Sequence, residues 1–166
     1  MRFLLLTVSF FVFISCSSKK TKTLEKGIYR ASLQIQDNEE IPFIFEVINK
    51  NLITIFNADE RITVDEISYK NDSIKIQTPI FEGYIIAKID KNELKGSFIK
   101  PSLDRVVPFV ASKNNNRFKS DKKAKQNITG NWETIFSKQT DSSYIAKGTF
   151  NQNKNKVTGT FRTTTG

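Results

Sequence analysis

The fold is decided by residues 41–56, which read IPFIFEVINKNLITIF. Two apolar runs, 41–48 and 52–56, flank the polar turn 49–51. Asn tolerates a positive φ angle and its side chain hydrogen-bonds to nearby backbone, so this turn chemistry is typical of a β-hairpin. The stretch therefore predicts two antiparallel strands.

The same pattern recurs throughout residues 27–111. Two further pairs of apolar runs flank turns rich in Asn, Asp and Lys: 62–69 with 74–78, and 84–89 with 94–99. In residues 73–78, which read SIKIQT, polar and apolar side chains alternate with the period of a strand that has one wet face. We therefore expect an all-β chain of about ten antiparallel strands, arranged as a meander that closes into a barrel or a barrel-like sandwich.

A basic segment, residues 112–127, interrupts this pattern. Its only large apolar residue is Phe118, and its basic residues are Lys113, Arg117, Lys119, Lys122, Lys123 and Lys125. Such a composition predicts a solvated linker between a first β half, 27–111, and a second β half, 128–166.

The second half resembles the first in two places. Residues 130–132 read GNW and echo GIY at 27–29, and the spacing of Leu94, Gly96 and Phe98 is repeated by Val157, Gly159 and Phe161. Glycine within a strand marks a bend or the close approach of another backbone. We expect two pseudo-repeated halves of one nearly closed sheet, with chance recurrence of short strings as the alternative. Because the chain stops directly after an apparent strand, we also expect the second half to be truncated.

The N-terminal residues combine the features of an export signal. Arg2 precedes an apolar run, 3–14, that is too short for a permanent membrane-spanning helix, and Cys16, the only cysteine, follows it. This arrangement predicts a bacterial lipoprotein signal peptide, residues 1–15, and a tether, 16–26. Cleavage before Cys16 would leave a diacylglycerol on its sulfur and a further acyl group, such as palmitate, on its amine, which together anchor a protein almost permanently to membrane lipid.

One residue departs from the usual lipoprotein signal, because Phe13 stands where an aliphatic side chain is common. A secretory signal with an incidental cysteine, or an uncleaved anchor, therefore stays open as an alternative. The expected location is the cell envelope, on a membrane and facing the periplasm.

The chain is strongly basic, with 26 Lys and Arg against 17 Asp and Glu and a formal net charge of +9. Such an excess of positive charge is typical of a protein that binds nucleic acid or anionic lipid, and it can also serve only to keep a protein soluble. For an exported, lipid-anchored protein we expect attraction to anionic headgroups and no nucleic-acid partner.

Several kinds of chemistry are excluded by composition. The chain has no histidine, and its single cysteine is assigned to lipid, so imidazole catalysis, thiol redox chemistry and His or Cys metal sites are excluded. Adjacent carboxylates such as Glu39 and Glu40 point to opposite faces of a strand and do not form a glycosidase dyad. Residues 37–40, which read DNEE, are more typical of a turn than of a calcium loop. We expect no catalytic residue, metal or cofactor.

Tyr29 and Trp132 are the candidate barrel-closing aromatics. The GNW string ending at Trp132 resembles the opening of the first strand in the lipocalin and avidin-like families, in which the tryptophan closes one end of the barrel below a ligand cup. This resemblance implies an alternative function as a binder of a small hydrophobic ligand. The 14 phenylalanines could line such a cup or simply fill the core.

A wider resemblance covers the mature chain. The cysteine signal at Cys16, GIYR at 27–30, IPFIFEV at 41–47 and TGNW at 129–132 together resemble the N-terminal β-domain of lipid-anchored TlpA-like thiol-disulfide oxidoreductases, the redoxin lipoproteins. The resemblance implies an accessory domain that precedes a thioredoxin-like domain absent from this chain. The catalytic C-x-x-C of that family belongs to the absent part, so the resemblance carries no catalytic residue over.

A candidate modification site lies at the tip of a predicted hairpin. Asp72, Ser73 and Ile74 resemble the Asp-Ser/Thr-aliphatic sequence at which some Gram-negative lineages attach O-linked glycans. We expect O-glycosylation of Ser73, with an ordinary turn as the alternative.

Overall fold

A computed structural model describes residues 21–118 and 123–163. Two short 3₁₀ turns, Gln36–Asn38 and Pro101–Leu103, lie among twelve strands in these ranges, where about ten were expected. The strands are β1 Gly27–Gln34, β2 Glu40–Asn49, β3 Leu52–Asn57, β4 Glu60–Val64, β5 Ile67–Lys70, β6 Ser73–Thr78, β7 Gly83–Asp90, β8 Glu93–Lys100, β9 Arg105–Lys113, β10 Gly130–Phe136, β11 Tyr144–Asn153 and β12 Lys156–Thr163.

The first nine strands form one antiparallel sheet, which we call the barrel. Its strand order is β4-β3-β2-β1-β9-β8-β7-β6-β5, a meander in which β9 returns to pair with β1. The sheet curls until it is nearly closed. The expected all-β, antiparallel, barrel-like fold is therefore confirmed.

The barrel closes where one expected strand is broken in two. The apolar run 62–69 was predicted as a single strand, but the structure separates β4 from β5 at Asp65 and Glu66. β4 pairs with β3, whereas β5 pairs with β6 at the other edge of the sheet. The amide of Gln77 donates to the carbonyl of Glu66 at 3.0 Å. This bent segment thus joins the two edges, which leaves little edge backbone unpaired.

Aromatic and β-branched side chains fill the inner face of the barrel. The ring of Tyr29 is fully buried and stacks on Phe45 with 5.2 Å between centroids. Phe43 bridges Phe45 and Phe109, with 6.4 Å between centroids in each case. Gly96, which is partly exposed on β8, lets β7 approach closely, because a Cβ at this position would overlap the carbonyl oxygen of Ile86. The expectation that this glycine marks a close backbone approach is confirmed.

The last three strands form a separate sheet in the order β10-β11-β12, which we call the small sheet. The expectation that the two halves complete one sheet is therefore wrong. The physical reason is that β9 already pairs with β1. No barrel edge is left at β1 or β9 to accept β10.

The small sheet carries its aromatic side chains on one face. Strand register places Trp132, Phe136, Phe150 and Phe161 on that face. The rings of Phe150 and Phe161 meet edge to face with 5.4 Å between centroids. Gly159 makes room for an aromatic ring, because a Cβ there would lie 2.7 Å from Phe150 Cε1.

Candidate functional site

The described part of the tether, residues 21–26, packs across one end of the barrel. Leu24 points into the core and is only 5 % exposed. The amide of Lys22 donates to the carbonyl of Asn71 at 2.8 Å, in the β5–β6 turn. The Lys22 ammonium donates to the carbonyl of Ile89 at 3.3 Å, near the end of β7. Lys22 and Leu24 are therefore built into the barrel.

Glu25 fixes the other end of this segment. Its carbonyl accepts a hydrogen bond of 3.1 Å from the Tyr29 hydroxyl, and its carboxylate forms an ion pair of 2.6 Å with Lys113. Burial, followed by the negative charge of Glu25, raises the pKa of Tyr29 above its ordinary value. These contacts tie the tether to β1 and β9.

Strand alternation brings three turns to the same end of the barrel as the tether. These are the β2–β3, β5–β6 and β7–β8 turns, together with the last residues of β9. We call this region the tether end. It carries six lysines and four carboxylates: Lys22, Lys26, Lys50, Lys70, Lys91 and Lys113, and Glu25, Asp72, Asp90 and Glu93.

The opposite end, which we call the distal end, has the reverse charge. It comprises the β1–β2, β3–β4, β6–β7 and β8–β9 connections with their flanking strand residues. Its acidic residues are Glu39, Glu40, Asp59, Glu60, Glu82 and Asp104, of which Glu40 is paired with Arg30 and Glu82 with Lys100. The basic residues at this end are Arg61, Lys100 and Arg105. Charge is thus distributed unequally along the barrel axis, and lysines are concentrated at the end where the tether enters.

A polar cluster holds the start of the basic linker against the outer surface of β1 and β2. Arg30 and Ser32 are outward-facing but buried, and both bind the carboxylate of Glu40. Arg30 Nε donates to the carbonyl of Arg117 at 2.9 Å, and Arg117 Nε donates to the carbonyl of Pro42 at 2.8 Å. The linker was expected to be solvated throughout, but Arg117 is docked. Arg117 is held there because its guanidinium donates a hydrogen bond to the carbonyl oxygen of Pro42 on β2.

The aromatics predicted to close the barrel lie in different environments. Tyr29 is fully buried in the core beside the tether. Trp132 is 50 % exposed on the small sheet, and its indole donates to the carbonyl of Ile128 at 2.9 Å. The expectation that Trp132 closes the barrel is corrected, because its strand belongs to the other sheet.

The remaining predicted residues are Cys16 and Ser73. Cys16 lies outside the described residues, so its lipidation stays a prediction. Ser73 begins β6 and is half-buried rather than at an open hairpin tip, with its hydroxyl donating to Asp72 at 3.3 Å. The carbonyl of Asp72 accepts from Ile89 at 2.7 Å, so β7 holds this turn. O-glycosylation of Ser73 also stays a prediction.

Sequence reasoning missed the packed tether and the linker cluster. Leu24 is the one large apolar residue in the polar stretch 17–26, and that isolation is a signal that could have marked it as a core residue. The Arg30–Glu40 pair had no such signal. Only the hairpin register brings these two side chains together.

Three clefts lined by described residues lie outside the barrel. One is lined by linker residues 123–127 and by residues 152–155, a second by side chains on the polar face of the small sheet, and a third runs between the β3–β4 turn and β12. Within residues 21–118 and 123–163, no group of three acidic, His or Cys side chains is placed to hold a metal ion.

Comparisons with known proteins place the chain in no family. No family model matches it, and no curated protein or solved structure is significantly similar to it. In the part of the chain that the structure describes, no helix is long and apolar enough to span a bilayer.

Proposed function

We propose that this chain is a non-catalytic β-barrel module of the cell envelope, held on a membrane by acylated Cys16. The observation that carries the proposal is the packing of the tether into the barrel. Leu24 is part of the core, and Lys22 bonds to two turns of the tether end. A lipid on Cys16 would therefore hold a folded domain close to the bilayer rather than on a long flexible stalk.

We further propose an accessory role in thiol-disulfide exchange. The resemblance to the N-terminal domain of redoxin lipoproteins supports this role, with catalysis supplied by a thioredoxin-like domain outside residues 1–166. The single cysteine and the lack of histidine fit a domain that supports chemistry done elsewhere. The nucleotide sequence after codon 166 tests the link: an in-frame or frameshifted thioredoxin-type C-x-x-C supports it, and its absence counts against it.

Binding of a small hydrophobic ligand inside the barrel has less support. Tyr29, Phe45 and Phe109 occupy the middle of the inner face and are at most 3 % exposed. Trp132, whose resemblance suggested a ligand cup, lies outside the barrel. We therefore favour the anchored module.

The anchor is tested by substitution at Cys16. We expect Cys16→Ser to abolish incorporation of a palmitate analogue and to stop processing, or to move the protein out of the membrane fraction. Ser18→Ala is the matched control, and it should be labelled and sedimented like the native chain. Undiminished labelling of Cys16→Ser would overturn the proposal.

A further inference from the structure

We propose that the tether end of the barrel docks on the surface of an anionic phospholipid bilayer, with its lysines against the phosphate headgroups. This inference rests on the proposed lipid anchor and adds an orientation to it. The orientation follows from where the tether enters the barrel and from the distribution of charge along the barrel axis.

The first argument is the reach of the tether. Lys22, the first residue bonded to the barrel, is six positions after Cys16, and six extended residues span at most about 22 Å. From Lys22 onwards the chain is bonded to the barrel through Asn71 and Ile89. A lipid on Cys16 would thus keep the tether end within about 22 Å of the bilayer.

The second argument is the availability of the lysines. Two of the four carboxylates at the tether end are already paired, Glu25 with Lys113 at 2.6 Å and Glu93 with Lys95 at 3.0 Å. By contrast, four exposed lysines form no ion pair within the described residues: Lys26, Lys50, Lys70 and Lys91. In the sequence, Lys19 and Lys20 of the tether add further charge between Cys16 and the barrel.

The third argument is the opposite sign of the distal end. An anionic surface attracts each nearby lysine by up to about 1 kcal/mol and repels carboxylates, over a distance of about one Debye length. With six acidic residues against Arg61, Lys100, Arg105 and the Glu40-paired Arg30, the distal end is repelled. Charge and tether therefore favour the same orientation.

Lysine protection in vesicles tests the orientation. The full chain, purified from its membrane, is reconstituted into phosphatidylglycerol-containing or phosphatidylcholine vesicles and treated with a membrane-impermeant amine reagent. Labelling of single lysines is then read by mass spectrometry. We expect labelling of Lys50, Lys70 and Lys91 to fall about tenfold or more with phosphatidylglycerol, as expected for up to about 1 kcal/mol at each of several lysines. Lys138, Lys147 and Lys156, exposed outside the barrel, should keep their rates.

Charge reversal provides the matched comparison. In the triple variant Lys26→Glu, Lys50→Glu, Lys70→Glu, the protection of Lys91 should be lost. In the control variant Lys138→Glu, Lys147→Glu, Lys156→Glu, which has the same change of charge, Lys91 should stay protected.

Three results would overturn the docking. They are equal labelling in both kinds of vesicle, protection that persists in the tether-end variant, and the same protection by soluble glycerol phosphate at matched concentration. The intact mass of the same sample shows whether Cys16 is acylated. An acylated chain with unprotected lysines would contradict the docking and leave the anchor standing, whereas protected lysines on a chain without acyl groups would contradict the anchor.

Discussion

The hydroxyl of Tyr29 donates a hydrogen bond of 3.1 Å to the backbone carbonyl of Glu25, which joins the barrel core to the tether. Tyr29 is fully buried and is the first aromatic residue of the barrel. The core and residues 21–26 are therefore joined at this hydrogen bond, and a change at Tyr29 should alter the packing of those residues.

Stability should fall at alkaline pH because of buried tyrosines. Burial is the main cause that raises the pKa values of Tyr29 and Tyr69 above the ordinary value of 10.0. Each contributes stability that is fully present below pH 10.0 and is lost as the pH rises through the folded-state pKa. We expect the free energy of unfolding to decline from pH 9 to 11, and to decline less in Tyr29→Phe and Tyr69→Phe. Denaturant titrations across this range check it, and an unchanged slope in both variants would contradict it.

Leu24→Ala should destabilise the barrel by about 2–4 kcal/mol, because it empties a buried position in the core. Leu103→Ala is the matched control: Leu103 is 58 % exposed, and its loss should cost about 0.5 kcal/mol or less. Urea unfolding measures both variants. Equal, small effects would show that the tether does not contribute to the core.

Gly96→Ala should cost at least about 1–3 kcal/mol, because the added methyl group would overpack β8 against β7. The new carbon would lie 2.5 Å from the Cα of Ala87, a backbone atom that cannot rotate away. Ser97→Ala, at the neighbouring position, is the control for introducing an alanine into β8. Equal midpoints of thermal unfolding for the two variants would show that β7 and β8 do not pack closely at Gly96.

Arg117→Ala should release the start of the linker from the barrel. It removes the hydrogen bond to the carbonyl of Pro42 and should speed chymotryptic cleavage after Phe118 by about fivefold, as expected for the loss of about 1 kcal/mol of local stability. Lys125→Ala, exposed in the same linker, should be cleaved at the native rate. Equal cleavage of both variants would show that Arg117 does not hold the linker.

The sequence was most informative where local chemistry determines structure. The turns at 49–51, 70–72 and 90–92 were all predicted from Asn, Asp and Lys, since those residues favour the backbone angles of tight turns. The break at Asp65 and Glu66 was not predicted, although these two carboxylates interrupt the apolar run 62–69. The sequence around them does not show that the strand partner changes from β3 to β6.

The tether end was predictable only in part. Its lysines lie in turns that the sequence identified, but their convergence depends on strand order around the barrel. The separation of the small sheet was missed for a similar reason. The likeness of residues 130–132 to residues 27–29 concerns local strand openings and carries no information on which strand pairs with β1.

The mass of the mature protein, purified from the membranes of its native host, tests the proposed anchor most directly. We expect a polypeptide that begins at Cys16 and carries a diacylglycerol and an amide-linked acyl group, with residues 1–15 removed. A chain that retains those residues, begins at another position, or has an unmodified Cys16 would contradict the proposal.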